Sequence, residues 1–207
     1  MTARQWAITL VLIGGAIGSG HLAASQQPPA PSPSVAKAYF AGGCFWCMEE
    51  AFEKVDGVLE AVSGYMGGTV KNPSYEQVSA GQTGHAESVE VRYDSAKVTY
   101  TQLLEAFWRN VDPVTPDGQF CDHGHQYRAA IFYQTDEEKR AAEESKRAIE
   151  RSKRFSTPIV TELAAATEFY PAEDYHQDFY KKNPVRYKFY KFTCGRAQRL
   201  ETLWDKP

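Results

Sequence analysis

The sequence predicts a compact two-layer domain of mixed α/β or α+β class, followed by a long C-terminal tail that is rich in coil. Segments with strand character alternate along the chain with segments whose apolar residues recur at helical spacing. Few of the connections have the length that a parallel crossover needs. The chain has 207 residues, of which 43% are hydrophobic, so one domain can bury a substantial core.

The elements follow from local patterns, taken in chain order. A short aromatic strand at residues 37–40 ends at two glycines. A helix follows over residues 44–55, where Met48 and Phe52 fall one turn apart on an apolar face. Residues 112–124, rich in Pro, Asp and Gly, are predicted to form a loop. The remaining strands are predicted at residues 58–65 (paired with the first strand), 88–93, 127–133 and 159–163, and the remaining helices at residues 72–78, 99–108, 136–154 and 196–204.

The composition limits the classes of function. A net charge of −3 gives no electrostatic reason to expect a nucleic-acid partner. The four cysteines are too few for a disulfide scaffold at this length, and their motif context indicates redox chemistry.

The N-terminal segment is predicted to lie outside the fold. Arg4 precedes an apolar run over residues 6–17, and the small residues Ala23 and Ala24 follow, so residues 1–24 are expected to be a cleaved signal peptide. An uncleaved membrane anchor is the alternative, although the run is shorter than the roughly 20 residues that span a bilayer. Residues 25–36 contain four prolines and are predicted to be a linker, which leaves residues 37–207 as the domain. We therefore expect an exported, periplasmic protein.

The chemistry is predicted to centre on Cys44. Gly42 and Gly43 permit a sharp turn between the first strand and the first helix, so Cys44 falls at the helix N-terminus. Unpaired backbone N–H groups and the helix dipole favour an anion there, and the thiolate is the reactive form of cysteine. Cys47 lies one turn later on the same face. The pattern predicts a reactive cysteine with a second thiol within reach, although cysteines are more often small buried hydrophobes.

Several motifs, in order along the chain, resemble those of peptide methionine sulfoxide reductase A. Residues 43–46 read Gly-Cys-Phe-Trp and precede an acidic, apolar helix, and residues 84–87 read Gly-His-Ala-Glu. The other similar segments are residues 62–68, 73–78, 122–128 and 172–177, so the resemblance covers about residues 38–187. It implies a two-layer ferredoxin-like α+β sandwich. It also implies thiol-dependent reduction of the S epimer of methionine sulfoxide, protein-bound or free, which repairs oxidised proteins.

The candidate residues suit this chemistry, which needs a nucleophile at sulfur, a proton for the departing oxygen and a dry pocket for the methyl group. Cys44 is the nucleophile, and Glu87 donates the proton if burial raises its pKa. Core packing remains the alternative for the aromatic candidates. These further candidates are Tyr75 and Tyr127 as donors to the sulfoxide oxygen, Asp122 as an orienting group, Phe45 and Trp46 as the apolar wall, and His176 and Tyr187 as substrate-binding residues.

A second thiol is needed because oxygen transfer turns Cys44 into a sulfenic acid, which a thiol condenses to a disulfide. Cys47 is predicted to resolve it first, and Cys194 second, from a tail that could swing inward. Many members of the family have glycine in place of Cys47, so this residue departs from the usual recycling route. Cys121 is expected to be packed and not catalytic.

The expected partners follow from this chemistry. Electrons are expected from a thioredoxin-like dithiol protein exported to the same compartment, with no metal or organic cofactor. The substrates are expected to be oxidised proteins or peptides, and the mature domain is expected to be a monomer that does not insert into a membrane.

Two other classes of protein fit parts of the sequence. A thioredoxin-like disulfide oxidoreductase also has Cys-x-x-Cys at a helix N-terminus, but about 110 residues separate Cys47 from Pro158, the candidate for its facing proline. A structural zinc module is the second alternative, but its second ligand pair lacks compact spacing. Its ligands would be Cys44 and Cys47 with two of Cys121, His123 and His125.

Overall fold

The computed structural model describes residues 34–204. The predicted signal peptide and most of the predicted linker lie outside the described residues. The first strand begins at Val35, so the last two positions assigned to the linker belong to the domain. Within residues 34–204, no helix is long and apolar enough to cross a membrane.

The described chain forms eight strands and seven helices, with a 3-10 turn at His125–Tyr127. The strands are β1 (Val35–Gly42), β2 (Val58–Met66), β3 (Ala86–Asp94), β4 (Gly118–Gln119), β5 (Asp122–His123), β6 (Ala129–Tyr133), β7 (Glu162–Ala165) and β8 (Tyr170–Pro171). The helices are α1 (Phe45–Glu53), α2 (Tyr75–Ser79), α3 (Tyr100–Arg109), α4 (Asp136–Arg151), α5 (Phe179–Lys182), α6 (Pro184–Thr193) and α7 (Arg196–Trp204).

Six strands form one sheet in the order β7-β6-β1-β3-β2-β8, and β4 pairs with β5 in a small hairpin. All neighbours in the large sheet are antiparallel except β6 and β7. The four central strands, with α1 after β1 and α3 after β3, have the β-α-β-β-α-β connectivity of ferredoxin-like domains. The α+β, two-layer fold expected from the resemblance is confirmed.

The core lies between this sheet and the helices. Along β1, Phe40 points to the helical side, where its ring stacks on Phe52 of α1 at 4.8 Å and on Phe107 of α3 at 5.4 Å between centroids. The next residue, Ala41, points to the opposite face and packs with Phe132. Alternation along β3 places Glu87 on the same face as Val89 and Val91, so its carboxyl points toward α1.

One predicted strand pairing is wrong. β2 pairs with β3 and β8, and not with β1 as expected. β3 returns from β2 through the short helix α2 and occupies the place between β1 and β2. The alternation in each strand identifies the strand, but it does not specify the neighbour.

The C-terminal segment also differs from the prediction. We call residues 172–204 the C-terminal arm; it contains α5, α6 and α7, whereas only the last of these helices is predicted from the sequence. In α6 the buried residue is Tyr187, while Val185 and Phe189 are exposed. Because its apolar residues do not share one buried face, its pattern does not show the usual signature of an amphipathic helix.

Candidate active site

Cys44 stands at the start of α1, as the sequence predicts. Gly42 ends β1, Gly43 turns the chain with a φ of +77°, and Cys44 is the N-cap residue of α1. No side chain of α1 caps this end of the helix. The Cys44 side chain is 5% exposed, so the thiol is held in a nearly closed site.

Two carboxylates satisfy the free backbone donors at this helix end. The backbone N–H of Phe45 donates to Oε2 of Glu87 at 3.1 Å. The carboxylate of Asp122 accepts a hydrogen bond from the backbone N–H of Cys44. The first N–H groups of a helix have no partners within the helix, so both acids are attracted to the same place. The consequence is that two acids lie next to the reactive sulfur.

The pKa values of both acids are raised, because burial disfavours the charged form of a carboxyl. The pKa of Glu87 is raised to about 8, chiefly by burial and also by the nearby charges of Asp122 and Cys47, against the hydrogen bond from Phe45. Burial also raises the pKa of Asp122, although a hydrogen bond from Tyr190 lowers it in part. Glu87 therefore carries a proton at neutral pH and can act as an acid.

A cavity of about 80 Å³ lies against the Cys44 sulfur. Burial and the neighbouring charge of Glu87 raise the pKa of Tyr75 to about 12, and the same causes raise the pKa of Tyr127. Both phenols are therefore protonated and can donate hydrogen bonds. The lining residues are Cys44, Phe45, Trp46, Tyr75, Glu87, Asp122, Tyr127 and Tyr190. A larger cavity of about 830 Å³, between α3 and α4, shares none of these residues.

The apolar side of the small cavity is held by aromatic packing. The Trp46 ring stacks on Phe179 of the C-terminal arm at 3.8 Å between centroids, with planes 8° apart. Its indole Nε1 donates to Nδ1 of His176 at 3.2 Å. His176 also packs against the rings of Phe45 and Tyr75. His176 therefore supports the wall from behind and is not among the lining residues.

Cys44 and Cys47 are both free thiols and both buried. The pKa of Cys47 is lowered to about 6, chiefly by the hydrogen bond from Cys44 and also by the nearby Arg196 charge, against the effect of burial. Burial raises the pKa of Cys44, and the hydrogen bond and charge of Cys47 raise it as well. These shifts favour the negative charge of the pair on Cys47, with Cys44 as the protonated donor. From the sequence alone, the thiolate is predicted at Cys44.

Helices α6 and α7 supply two functional groups that sequence reasoning missed. The hydroxyl of Tyr190 lies beside Cys44 and lowers its pKa in part, and its Oη donates to Oδ2 of Asp122 at 2.6 Å. Arg196, 3% exposed, donates to the carbonyl oxygen of Gly42 at 3.3 Å. Both residues lie in a polar, aromatic stretch of the arm, more than 140 positions after Cys44, so no local motif connected them to it.

Tyr187 is near the site but does not line the cavity. Its hydroxyl lies beside Cys47 and donates to Oε2 of Glu50 at 2.6 Å. The structure therefore places Tyr187 beside the second thiol, while the sequence-based expectation was a substrate-binding residue.

The two remaining cysteines are joined in a disulfide between Cys121 and Cys194. The expectation that Cys121 is packed is wrong, because this residue is exposed. The expected second resolving thiol, Cys194, is held by this bond. In the disulfide, Cys121 has no thiolate to offer a metal. It therefore cannot serve as a ligand in the alternative zinc site.

Comparisons with known proteins agree with this geometry. Residues 36–207 match the family described as peptide methionine sulfoxide reductase. The chain is 48% identical over 171 residues to the peptide methionine sulfoxide reductase MsrA of Listeria innocua, an alignment that covers 83% of this chain and 97% of the relative.

Solved structures show the same fold. The chain is similar to methionine sulfoxide reductase A of Corynebacterium diphtheriae, with a TM-score of 0.66, 33% identity, and coverage of 74% of this chain and 77% of the other. It is also similar to reduced Mxr1 of Saccharomyces cerevisiae, with a TM-score of 0.68, 30% identity, and coverage of 72% and 86%. The yeast protein has also been crystallised in complex with Trx2.

Proposed function

The chain belongs to the peptide methionine sulfoxide reductase family, and we propose that it reduces the S epimer of methionine sulfoxide at the cavity beside Cys44. One observation supports placing this reaction at the cavity beside Cys44. The buried thiol of Cys44 and the protonated carboxyl of Glu87 face the same cavity of about 80 Å³. A cavity of this size takes the end of one side chain, while the rest of a peptide stays outside.

The sulfoxide oxygen is bound by the polar side of the cavity. Tyr75 and Tyr127 are protonated donors on its wall, and Glu87 is a protonated acid there. These groups stabilise the negative charge that develops on oxygen as the sulfur is attacked. The S-methyl group lies against Phe45 and Trp46, whose ring is fixed by Phe179.

The first step transfers oxygen from methionine sulfoxide to Cys44. The Cys44 sulfur attacks the sulfoxide sulfur as Glu87 gives its proton to the oxygen, and the proton lost by Cys44 restores Glu87. The bond that this attack forms between the two sulfurs is transient. It breaks as the sulfur–oxygen bond to methionine breaks and a sulfur–oxygen bond to Cys44 forms. The products are methionine and the sulfenic acid of Cys44, so atoms and electrons balance.

The second step forms a disulfide. Cys47 attacks the sulfenic sulfur of Cys44 as a thiolate, a form that the nearby charges of Arg196 and Lys191 favour. The hydroxide that leaves takes a proton and becomes water. The contact between Cys44 and Cys47 supports Cys47 as the first resolving thiol, because their hydrogen bond already brings the two sulfurs together.

The proposal includes a protein reductant and a cellular location. A thioredoxin-like dithiol protein reduces the disulfide, in keeping with the complex of yeast Mxr1 with Trx2, and no other cofactor takes part. The apolar run at residues 6–17 and the proline-rich residues 25–36 support export to the periplasm. Its substrates are oxidised proteins and peptides, together with free methionine sulfoxide.

The test uses the separated S and R epimers of a methionine sulfoxide peptide, with dithiothreitol as the reductant. Wild type is expected to reduce the S epimer alone, and Cys44→Ser is expected to reduce neither. Insulin reduction is measured in parallel. Insulin reduction without turnover of either epimer would instead support the thioredoxin-like disulfide oxidoreductase and reject the proposal.

A further inference from the structure

One buried carboxyl near the active site takes no part in oxygen transfer or in disulfide formation. Glu49 lies on α1, one turn after Phe45, and its side chain is fully buried. An acidic side chain is rarely buried to this extent unless its oxygens have partners. In Glu49, Oε2 accepts from the Ser63 hydroxyl and Oε1 accepts from the backbone N–H of Asp178, each at 2.6 Å.

These bonds attach the C-terminal arm to α1 and β2. Asp178 belongs to a short segment of the arm, residues 176–179, whose backbone is bound by Glu49. The Gln177 side chain of the same segment accepts from the N–H of Ser63 and donates to its carbonyl oxygen, both at 2.9 Å. The segment is therefore joined to α1 through the Glu49 carboxyl and to β2 through the Ser63 backbone.

The backbone of this segment depends on its contacts at Asp178. This residue has a φ of +55°, in the left-handed region that is unfavourable for a residue with a side chain. Such a conformation persists where the surrounding structure fixes it. Glu49 supplies a contact of this kind, because it accepts from the N–H of the same residue. Loss of the Glu49 acceptor would therefore release the segment at its strained position.

The segment in turn positions Trp46. His176 accepts a hydrogen bond from the indole Nε1 at 3.2 Å, and Phe179 stacks on the ring at 3.8 Å between centroids. These two residues lie on either side of Asp178 in the chain. Trp46 lines the cavity but is only half-buried, so the core does not enclose its ring. The angle of the indole therefore depends on where residues 176–179 lie.

We propose that Glu49 is a positioning residue, which holds residues 176–179 so that Trp46 closes the cavity around a methyl group and excludes a larger alkyl group. This inference rests on the proposed function, because it concerns the same cavity. Glu49 does not line that cavity. It acts through Asp178 and through the two contacts that the segment makes with the indole.

Glutamine should replace Glu49 in this role. The pKa of Glu49 is raised to about 7, chiefly by burial, against the hydrogen bonds from Ser63 and Asp178. The folded protein therefore already accommodates an uncharged side chain at this position near neutral pH. The amide oxygen of glutamine can accept from the N–H of Asp178, whereas leucine, which is similar in size, has no acceptor.

The test compares the S epimers of N-acetylmethionine sulfoxide and N-acetylethionine sulfoxide, with dithiothreitol as the reductant. The two differ by one methylene beside the sulfur, which an apolar pocket discriminates by about 10- to 200-fold. Wild type and Glu49→Gln are expected to show this preference for the methyl substrate in kcat/KM. Glu49→Leu is expected to lose most of it, and its kcat/KM for the methyl substrate should fall by about 10²-fold, because the cavity wall is displaced.

Ser145→Ala is the matched control for the loss of an internal hydrogen bond. The Ser145 hydroxyl accepts from the indole Nε1 of Trp108 at 2.9 Å, in the larger cavity between α3 and α4. This variant should unfold at a lower urea concentration than wild type but keep the wild-type preference. An equal loss of preference in Ser145→Ala would assign the effect to reduced stability and overturn the proposal.

A double variant tests whether Glu49 acts through the segment. Phe179→Leu removes the stack on Trp46 and should lower the preference for the methyl substrate. Because both changes release the same ring, the effects of Glu49→Leu and Phe179→Leu should not add in the double variant. Additive losses would contradict the proposal.

The remaining outcomes separate this inference from the proposed function. An unchanged preference in Glu49→Leu would overturn the positioning role and leave the reductase intact, whereas no turnover of either S epimer by wild type would reject the reductase itself. Ser63→Ala removes one of the two bonds to the carboxyl and should lower the preference to a smaller extent. If Glu49→Leu does not fold, an unchanged preference in Ser63→Ala overturns the proposal.

Discussion

Glu87 shows how burial converts an ordinary carboxyl into an acid that works at neutral pH. The residue is 3% exposed, and burial raises its pKa to about 8. The hydrogen bond from Phe45 favours the charged form but does not offset the loss of water. The folded protein therefore holds a proton that the unfolded chain would release above its ordinary pKa of about 4.3.

Replacement of this acid tests its role directly. Glu87→Gln cannot donate a proton, so we expect kcat to fall by about 10²- to 10⁴-fold. Wild-type activity is expected to fall as pH rises through about 8, because Glu87 then loses its proton. The residual activity of the variant should lack this decline. Steady-state rates between pH 6 and pH 10, roughly two units on each side of that pKa, measure both effects.

Glu90→Gln is the matched control, because Glu90 lies on the same strand but bonds to Lys37 at 3.0 Å, away from the cavity. It should keep wild-type kcat. A decline above pH 8 that persists in Glu87→Gln would assign the titration to another group and contradict the role of Glu87.

At the level of single residues, the sequence predicted which residues lie at the site better than it predicted which of them carry a charge. Cys44, Glu87 and Tyr75 lie at the cavity because each belongs to a recognisable motif. Tyr190 could not be found, because its role depends on the packing of α6, whose pattern is atypical. The position of the thiolate depends on Arg196 and on the hydrogen bond within the cysteine pair, and both arise only after folding.

The turn between β1 and α1 depends on Gly43. Its φ of +77° is unfavourable for a residue with a side chain, and a Cβ there would lie 2.5 Å from Cβ of Gln119. Gln119 cannot move aside easily, because its side chain is bonded to both the N–H and the carbonyl oxygen of Asp112 at 2.8 Å. The loop after α3 therefore fixes the position of the nucleophile.

We expect Gly43→Ala to lower the free energy of unfolding by about 3 kcal/mol or more, since backbone strain and a steric clash add together. Gly195→Ala is the matched control: its φ is +69°, but nothing lies near its Cβ position. Gly195→Ala should lower the free energy of unfolding by about 1–2 kcal/mol, from backbone strain alone. Urea unfolding measures both values. Equal losses in the two variants would show that Gln119 yields and that the clash is not significant.

Most helices and strands were predictable from the sequence, but the pairing of the strands was not. Helices α1, α3 and α4 have clear helical periodicity, and the capping box of Ser74 and Gln77 marks the start of α2. The pairing of β2 depends on which strand fills the place beside β1, and this is decided by long-range packing. For the same reason, the sequence showed one helix in the C-terminal arm where the structure has three.

The C-terminal arm completes the site that the sheet and α1 begin. Trp204 anchors its end, because the indole Nε1 donates to the carbonyl oxygen of Val111 at 3.1 Å and the ring is 8% exposed. Phe179 holds Trp46 at the start of the arm, and Tyr190 contacts Cys44 in the middle. The active site is therefore formed by segments from both ends of the domain.

Arg196 is the charged contact that joins the arm to the nucleophile turn. Its guanidinium donates to the carbonyl oxygens of Gly42 at 3.3 Å and Asn110 at 2.5 Å, and its charge helps to lower the pKa of Cys47. A buried guanidinium is stabilised by a nearby negative charge. The reduced cysteine pair supplies such a charge, whereas a disulfide between Cys44 and Cys47 removes it.

Two substitutions of Arg196 separate its charge from its hydrogen bonds. Both Arg196→Met and Arg196→Lys disturb the bonds to the two carbonyl oxygens, so each is expected to lower the free energy of unfolding by about 1–3 kcal/mol. Only Arg196→Met removes the charge, so only this variant should raise the pKa of Cys47 clearly above about 6. Ultraviolet absorbance of the thiolate, titrated with Cys121–Cys194 left oxidised, measures that pKa. Identical titrations in the two variants would show that Cys47 is held as a thiolate by the hydrogen bond from Cys44 and its other neighbours, without help from the charge of Arg196.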